Sequence, residues 1–154
     1  MPSITNDQQL KSALSKLPLK SQRAIGMLFA TSIQLPSVDS TLAKAMELIM
    51  ASEYGESERE LAYKTAKSVA TKTYTACGRD TDWDAQAEHF VAAACSAALT
   101  PDGQLSAVNN PAWKAAIQAR MANNCLMMEK DLEEPQNEAV RQYRIAEEFL
   151  QAQA

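Results

Sequence analysis

Trp83-Asp-Ala-Gln-Ala-Glu88-His89-Phe90-Val91-Ala-Ala-Ala-Cys95-Ser-Ala-Ala-Leu99 is the stretch that decides the fold. Trp83, Ala87, Phe90, Val91, Ala94 and Ala98 recur at helical spacing and make one face. The other side, Ala85, Ala92, Ala93 and Ser96, is small rather than charged. From Phe90 to Leu99 the segment is apolar nearly all round, as expected of a central helix contacted on both sides. Alanine and serine let neighbouring helix axes approach closely, near the low end of the usual range of roughly 8–10 Å.

The rest of the chain agrees with that beginning. Of 154 residues 27 are alanine, against 4 glycines and 6 prolines. An all-β chain needs turn residues far more often. With 46% hydrophobic and 22% charged residues the composition is globular, not disordered. The sequence therefore predicts one all-α domain over residues 1–154, a compact bundle of six or seven mostly antiparallel helices.

The helices can be placed by their caps and stripes. Thr5 with Gln8 has the pattern of a capping box, followed by Leu10, Ala13, Leu14 and Leu17 on one face and by Pro18 as a stop. A second helix spans about Ser21–Gln34, with Ile25, Leu28, Phe29, Ser32 and Ile33 in its stripe. A third opens at Asp39 or Ser40 and carries Leu42, Ala45, Met46, Ile49 and Met50, and Gly55 breaks it. Ser57 and Glu60 suggest the next capping box, at the head of a helix over about 58–77. Its inner face holds Ala62, Ala66, Val69, Ala70, Thr73 and Cys77, its outer face Glu60, Lys64, Lys67, Thr71 and Thr75, and Gly78 stops it. The fifth helix runs from near Asp82 to Leu99. Asn110-Pro111 opens a sixth, about 111–132, using Trp113, Ala116, Ile117, Met121, Cys125 and Met128. Pro135 either kinks that helix or separates a seventh, about 136–152, with Val140, Tyr143, Ala146, Phe149 and Leu150.

Charge and cysteine usage exclude several classes. The net charge is −4, so the basic footprint of a nucleic-acid binder is missing. Lys11, Lys16, Lys20, Arg23 and Lys44 leave the first 44 residues positive, and they read as a solvated rim. Cys77, Cys95 and Cys125 form no CxxC pair and are odd in number, so buried free thiols are expected rather than a zinc site or a disulfide framework. The first residues, Met-Pro-Ser-Ile-Thr-Asn-Asp, carry no basic-then-apolar leader pattern, and no run approaches about eighteen apolar residues. A cytoplasmic protein with no membrane segment is the expectation.

No constellation for catalysis stands out. Asp80, Asp82 and Asp84 alternate like the start of a calcium loop, but Ala85 and Val91 occupy the positions where that loop needs glycine and glutamate. Aspartates at a helix start serve more simply as caps. His89 is the single histidine, so any imidazole mechanism must use it. Asp84, Glu88 and His89 are the one local set that a metal-dependent enzyme would use, but a di-iron bundle needs Glu-x-x-His on two helices, and here position 86 is Gln86 and there is no second histidine. Gly26, Gly55, Gly78 and Gly103 are isolated, which excludes the usual phosphate-cradling loops. No cofactor is implied.

Two groups remain as binding candidates. Glu53, Glu56 and Glu58, in the acidic stretch 53–60, suit a basic protein partner, with association that depends strongly on salt. Met46, Met50, Trp113 and Met121 would line an apolar-ligand pocket between the third and sixth helices. Otherwise the methionines and both tryptophans are core fillers, and a homo-oligomer is compatible with either reading.

Arg23-Ala24-Ile25 with Phe29-Ala30, then Ala43-Lys44-Ala45-Met46-Glu47, a glycine loop, an alanine-rich helix over 61–77 and Ala92-Ala93-Ala94-Cys95-Ser96-Ala97-Ala98 make a layout similar to the alanine-rich helical immunity proteins of bacterial toxin systems. The resemblance covers residues 20–100. It departs from that pattern in having only His89 where several members carry histidines within the alanine-rich helices. It implies an acidic, non-enzymatic protein that neutralises a basic toxin domain, and it carries no site residue across. A non-catalytic protein-binding module, in one version immunity-like, is the functional expectation. The small-ligand binder is the alternative, and the metal-dependent enzyme the third.

Overall fold

The computed structural model describes residues 3–51, 53–74, 82–105, 110–130 and 137–153. Among them are seven α-helices: α1 (Asp7–Ser15), α2 (Leu19–Thr31), α3 (Ser40–Ala51), α4 (Glu56–Thr73), α5 (Trp83–Ala98), α6 (Pro111–Lys130) and α7 (Glu138–Gln153). A 3-10 turn, Asp102–Gln104, follows α5, and no described residue is in a strand. The all-α bundle expected from the sequence is the fold. Cys77, Gly78, Asp80 and Pro135 lie outside the described residues; α6 and α7 are separate helices.

Cap chemistry sets the starts, in places one or two residues from the sequence expectation. At α1 the cap is Asn6, whose Oδ1 accepts from Gln9 N at 2.8 Å, while Gln9 Oε1 accepts from Thr5 N at 2.7 Å. The expected Thr5–Gln8 box is thus shifted by one. At α4 the box expected at Ser57–Glu60 is shifted by two: Gly55 N donates to Glu58 Oε1 at 3.2 Å. Glu60 stays on the outer face, 3.6 Å from Lys64. Asp39 caps α3 through Thr41 N at 2.8 Å, and Asp82 caps α5 through Ala85 N at 3.0 Å, both as expected.

Helix α5 is central: it packs most extensively on α6 and then on α4 and α2. Val91, Ala92, Ala94, Cys95, Ala98 and Leu99 are all buried, on both sides of the helix. Inter-helix bonds give the directions. Lys72, at the end of α4, is 3.0 Å from Asp39 at the start of α3. His89 Nδ1 lies 2.5 Å from Ala70 O, and Arg59 Nη1 lies 2.6 Å from Leu99 O. Arg141 meets Ser32 at 3.0 Å and Gln153 meets Ser21 at 3.1 Å. So α3 and α4, α4 and α5, and α2 and α7 are antiparallel pairs. Every helix contributes to one hydrophobic cluster.

The sixth helix corrects the sequence reading. Its buried face is Ala112, Ala115, Ala116, Ala119, Ala122, Asn123 and Leu126, whereas Met121 and Met128 are exposed. Small side chains are needed where α6 crosses α2 and α5. A Cβ placed on Gly26 would come within 2.9 Å of Ala98 Cβ and 3.3 Å of Ala115 Cβ. Trp113 is half-buried and packs against the edge of the core, with Lys11 Nζ 4.7 Å and Arg120 Cζ 5.3 Å from its ring centre.

Candidate functional site

The most distinctive polar arrangement sits where the connection from α3 to α4 passes the start of α2 and the end of α5. Arg23 belongs to the stripe Arg23, Gly26, Met27, Ala30 of α2, and Arg59 to the stripe Arg59, Ala62, Ala66, Val69 of α4; all eight are buried. These spacings aim both arginines inward. The expectation of a solvated rim therefore fails for Arg23, which lies on the buried face of its helix.

Both guanidiniums finish α5. Arg23 Nη2 donates to Thr100 O at 2.7 Å and Arg59 Nη1 to Leu99 O at 2.6 Å. Carbonyls at a helix end lack intrahelical donors, and the negative end of the dipole favours a cation there. Each arginine also holds one carboxylate. Arg23 pairs with Asp102 at 2.7 Å, and Arg59 pairs with Glu56. The pairs are lopsided: the arginine side chains are 8% and 3% exposed, their carboxylates 70% and 72%. The hydrogen bond from Arg59 holds the Glu56 carboxyl below its ordinary range, and that from Arg23 does the same for Asp102. The Glu56 bond in turn raises Arg59. The Nε of each arginine is buried and has no hydrogen-bond partner.

A cleft of about 470 Å³ opens against this pair, lined by Leu19, Lys20, Arg23, Glu53, Tyr54, Gly55, Glu56 and Arg59. Leu19 and Lys20 are the first residues of α2, and Gly55 and Glu56 bracket the start of α4. Neither start has a side-chain cap, because the capping positions are Pro18 and Gly55. Two sets of first-turn amides therefore face the same cleft as the arginines.

The acidic candidates from the sequence fall around this cleft with different duties. Glu53 lies on its lip, exposed. Glu56 is engaged by Arg59, and Glu58 accepts from Gly55 N. The apolar candidates are not brought together. Met46 and Met50 are on α3, which packs on α4 and α2; Trp113 and Met121 are on α6, which packs on α5, α2, α7 and α1. Met50 and Met121 are 40% and 42% exposed.

The Asp84, Glu88, His89 set is used to tie helices. Glu88 Oε2 accepts from Asp39 N at 2.5 Å, and His89 bonds to Ala70 O and meets the rings of Tyr74 and Phe90 edge-on. One Asp84 carboxylate oxygen is buried without a partner. Among the described residues no three His, Cys, Asp or Glu side chains gather as a metal site. No helix there is long and apolar enough to cross a membrane. Cys95 is a buried free thiol, as the sequence suggested, and Cys125 is buried as well.

Sequence reasoning missed Arg23 and Arg59 as a pair. The available signal was their position on stripes of small apolar residues, where an arginine cannot remain solvated. No family model, curated protein or solved structure matches this chain.

Proposed function

We propose that this protein is a non-catalytic protein-binding module, of the immunity-like kind, that engages a basic partner through the outer surface of α3 and the connection to α4. The observation that carries the reading is an exposed edge in which acidic and apolar side chains alternate. Lys44, Glu47, Leu48 and Ala51 share the outer face of α3, and Met50, Glu53, Glu56 and Glu58 are exposed beside them. Leu48 is 39% and Met50 40% exposed. Apolar anchors among mainly acidic side chains suit a basic partner, with encounter rates that fall as salt rises.

The structure also says which residues give a clean test. Glu56 and Glu58 accept from Arg59 and from Gly55 N, so reversing their charge would disturb the fold as well as the surface. Glu47 and Glu53 have no such task. The protein is purified from its own cells, and the polypeptide it retains is measured against the variants Glu47→Lys/Glu53→Lys and Leu48→Asp. Binding is expected to fall at least about tenfold in each, equivalent to roughly 1.4 kcal/mol, with the melting temperature unchanged. Retention of the same partner at unchanged affinity by both variants, or a small-molecule mass in place of a polypeptide, overturns the reading.

A further inference from the structure

We infer that the cleft between the starts of α2 and α4 is a binding site for a phosphate monoester, adjoining the surface proposed for the protein partner at Glu53 and Glu56. Its floor holds two arginines that are 93% and 98% buried, each with an unpaired Nε. Leaving a buried donor unpaired costs roughly 1–3 kcal/mol, so each guanidinium rests on its Nη bonds alone. The arginines are held in place by the carbonyls of Leu99 and Thr100. Their other partners, Glu56 and Asp102, are carboxylates that lie mostly in water. An entering oxyanion can take the place of Glu56, which lines the cleft, without disturbing the bond from Arg59 to the α5 carbonyl.

Three further features favour a phosphate. The uncapped first turns of α2 and α4 offer backbone N–H groups and two positive dipole ends, the arrangement that binds phosphate at helix starts. The lining residues include three cations, Lys20, Arg23 and Arg59, which Glu53 and Glu56 in the lining and Asp102 beside Arg23 balance until one carboxylate is displaced. A planar guanidinium matches the oxygens of a phosphate with two parallel donors. Leu19 and Tyr54 supply an apolar wall, and about 470 Å³ exceeds what a bare ion fills. The ligand is thus a small organic phosphate with an apolar or ring-bearing body.

Titration of the full-length protein with phenyl phosphate and with inorganic phosphate, followed by amide chemical shifts, tests this. The expected result is saturable shifts confined to residues 19–23 and 53–59, with phenyl phosphate the tighter ligand. Arg23 and Arg59 also hold α5, so the variants are placed on exposed neighbours. Lys20→Glu is expected to weaken binding about tenfold. Glu56→Gln removes the competing charge and is expected to tighten it roughly threefold. Shifts scattered over the surface, affinity unmoved by both substitutions, or benzoate binding as tightly as phenyl phosphate would each overturn the assignment. The partner surface is judged apart from these outcomes by Leu48→Asp, because Leu48 lies outside the cleft.

Discussion

Gly26 is where the three central helices come closest. Its neighbours are the Cβ atoms of Ala98 and Ala115 and the Cα of Ala112, which no rotamer change can move aside. Alanine in mid-helix is ordinarily favoured over glycine by about 1 kcal/mol. Here overpacking costs roughly 1–3 kcal/mol and opposes that gain. Gly26→Ala is therefore expected to lower the urea midpoint despite its better helix propensity. Gly26→Leu should abolish cooperative unfolding, and Ala98→Gly should be less harmful in the Gly26→Ala background than alone. A rise in midpoint for Gly26→Ala would show that the helices separate freely. Gly26 offered no such meaning in the sequence, where a lone glycine inside a helical pattern shows only a local cost.

At the scale of the elements, α1, α6 and α7 are joined by a network of polar contacts. Arg120 donates to both oxygens of Asp7, at 3.0 and 2.8 Å, and to Gln142 Oε1 at 2.8 Å. Tyr143 donates to Asp7 Oδ1 at 2.7 Å, and Gln142, fully buried, donates to Ala116 O at 2.9 Å. Chiefly through Arg120, then Tyr143, the Asp7 carboxyl is held down to about 2. A carboxyl lowered on folding stabilises the protein at pH above its ordinary value near 4, and that contribution is lost as pH falls toward 2. Asp7 is nearly half exposed, so screening leaves about 1 kcal/mol of pH-dependent stability. Urea denaturation of wild type and Asp7→Asn should show a gap at pH 6 that closes by about pH 2. A gap independent of pH would mean that Arg120 gains little from the charge. Alanine periodicity at 112, 115, 116, 119, 122 did announce a helical face of α6. Hydropathy favoured Trp113, Met121 and Met128 instead, since alanine is nearly neutral on any transfer scale and its value lies in close approach.

At the scale of the molecule, all seven helices share a core made largely of alanine, and the two described cysteines lie inside it. Burial pushes the Cys95 thiol up to about 12, which removes the reactive thiolate at neutral pH. In a Cys77→Ser background, thiol reagents should label Cys95 and Cys125 only at the rate of global unfolding. Rapid labelling of the native protein would show that the core opens locally around α5 and α6. The sequence by itself determined the helical class, most of the stripes of α1, α4 and α5 and the central place of α5, because periodicity and caps are local properties of the chain. Only the tertiary structure decided which face of α6 is inward, that Arg23 and Arg59 meet at the end of α5, and that Glu56 and Glu58 have internal partners. Those outcomes depend on which helices cross and how closely, and spacing along one helix carries no record of its neighbours.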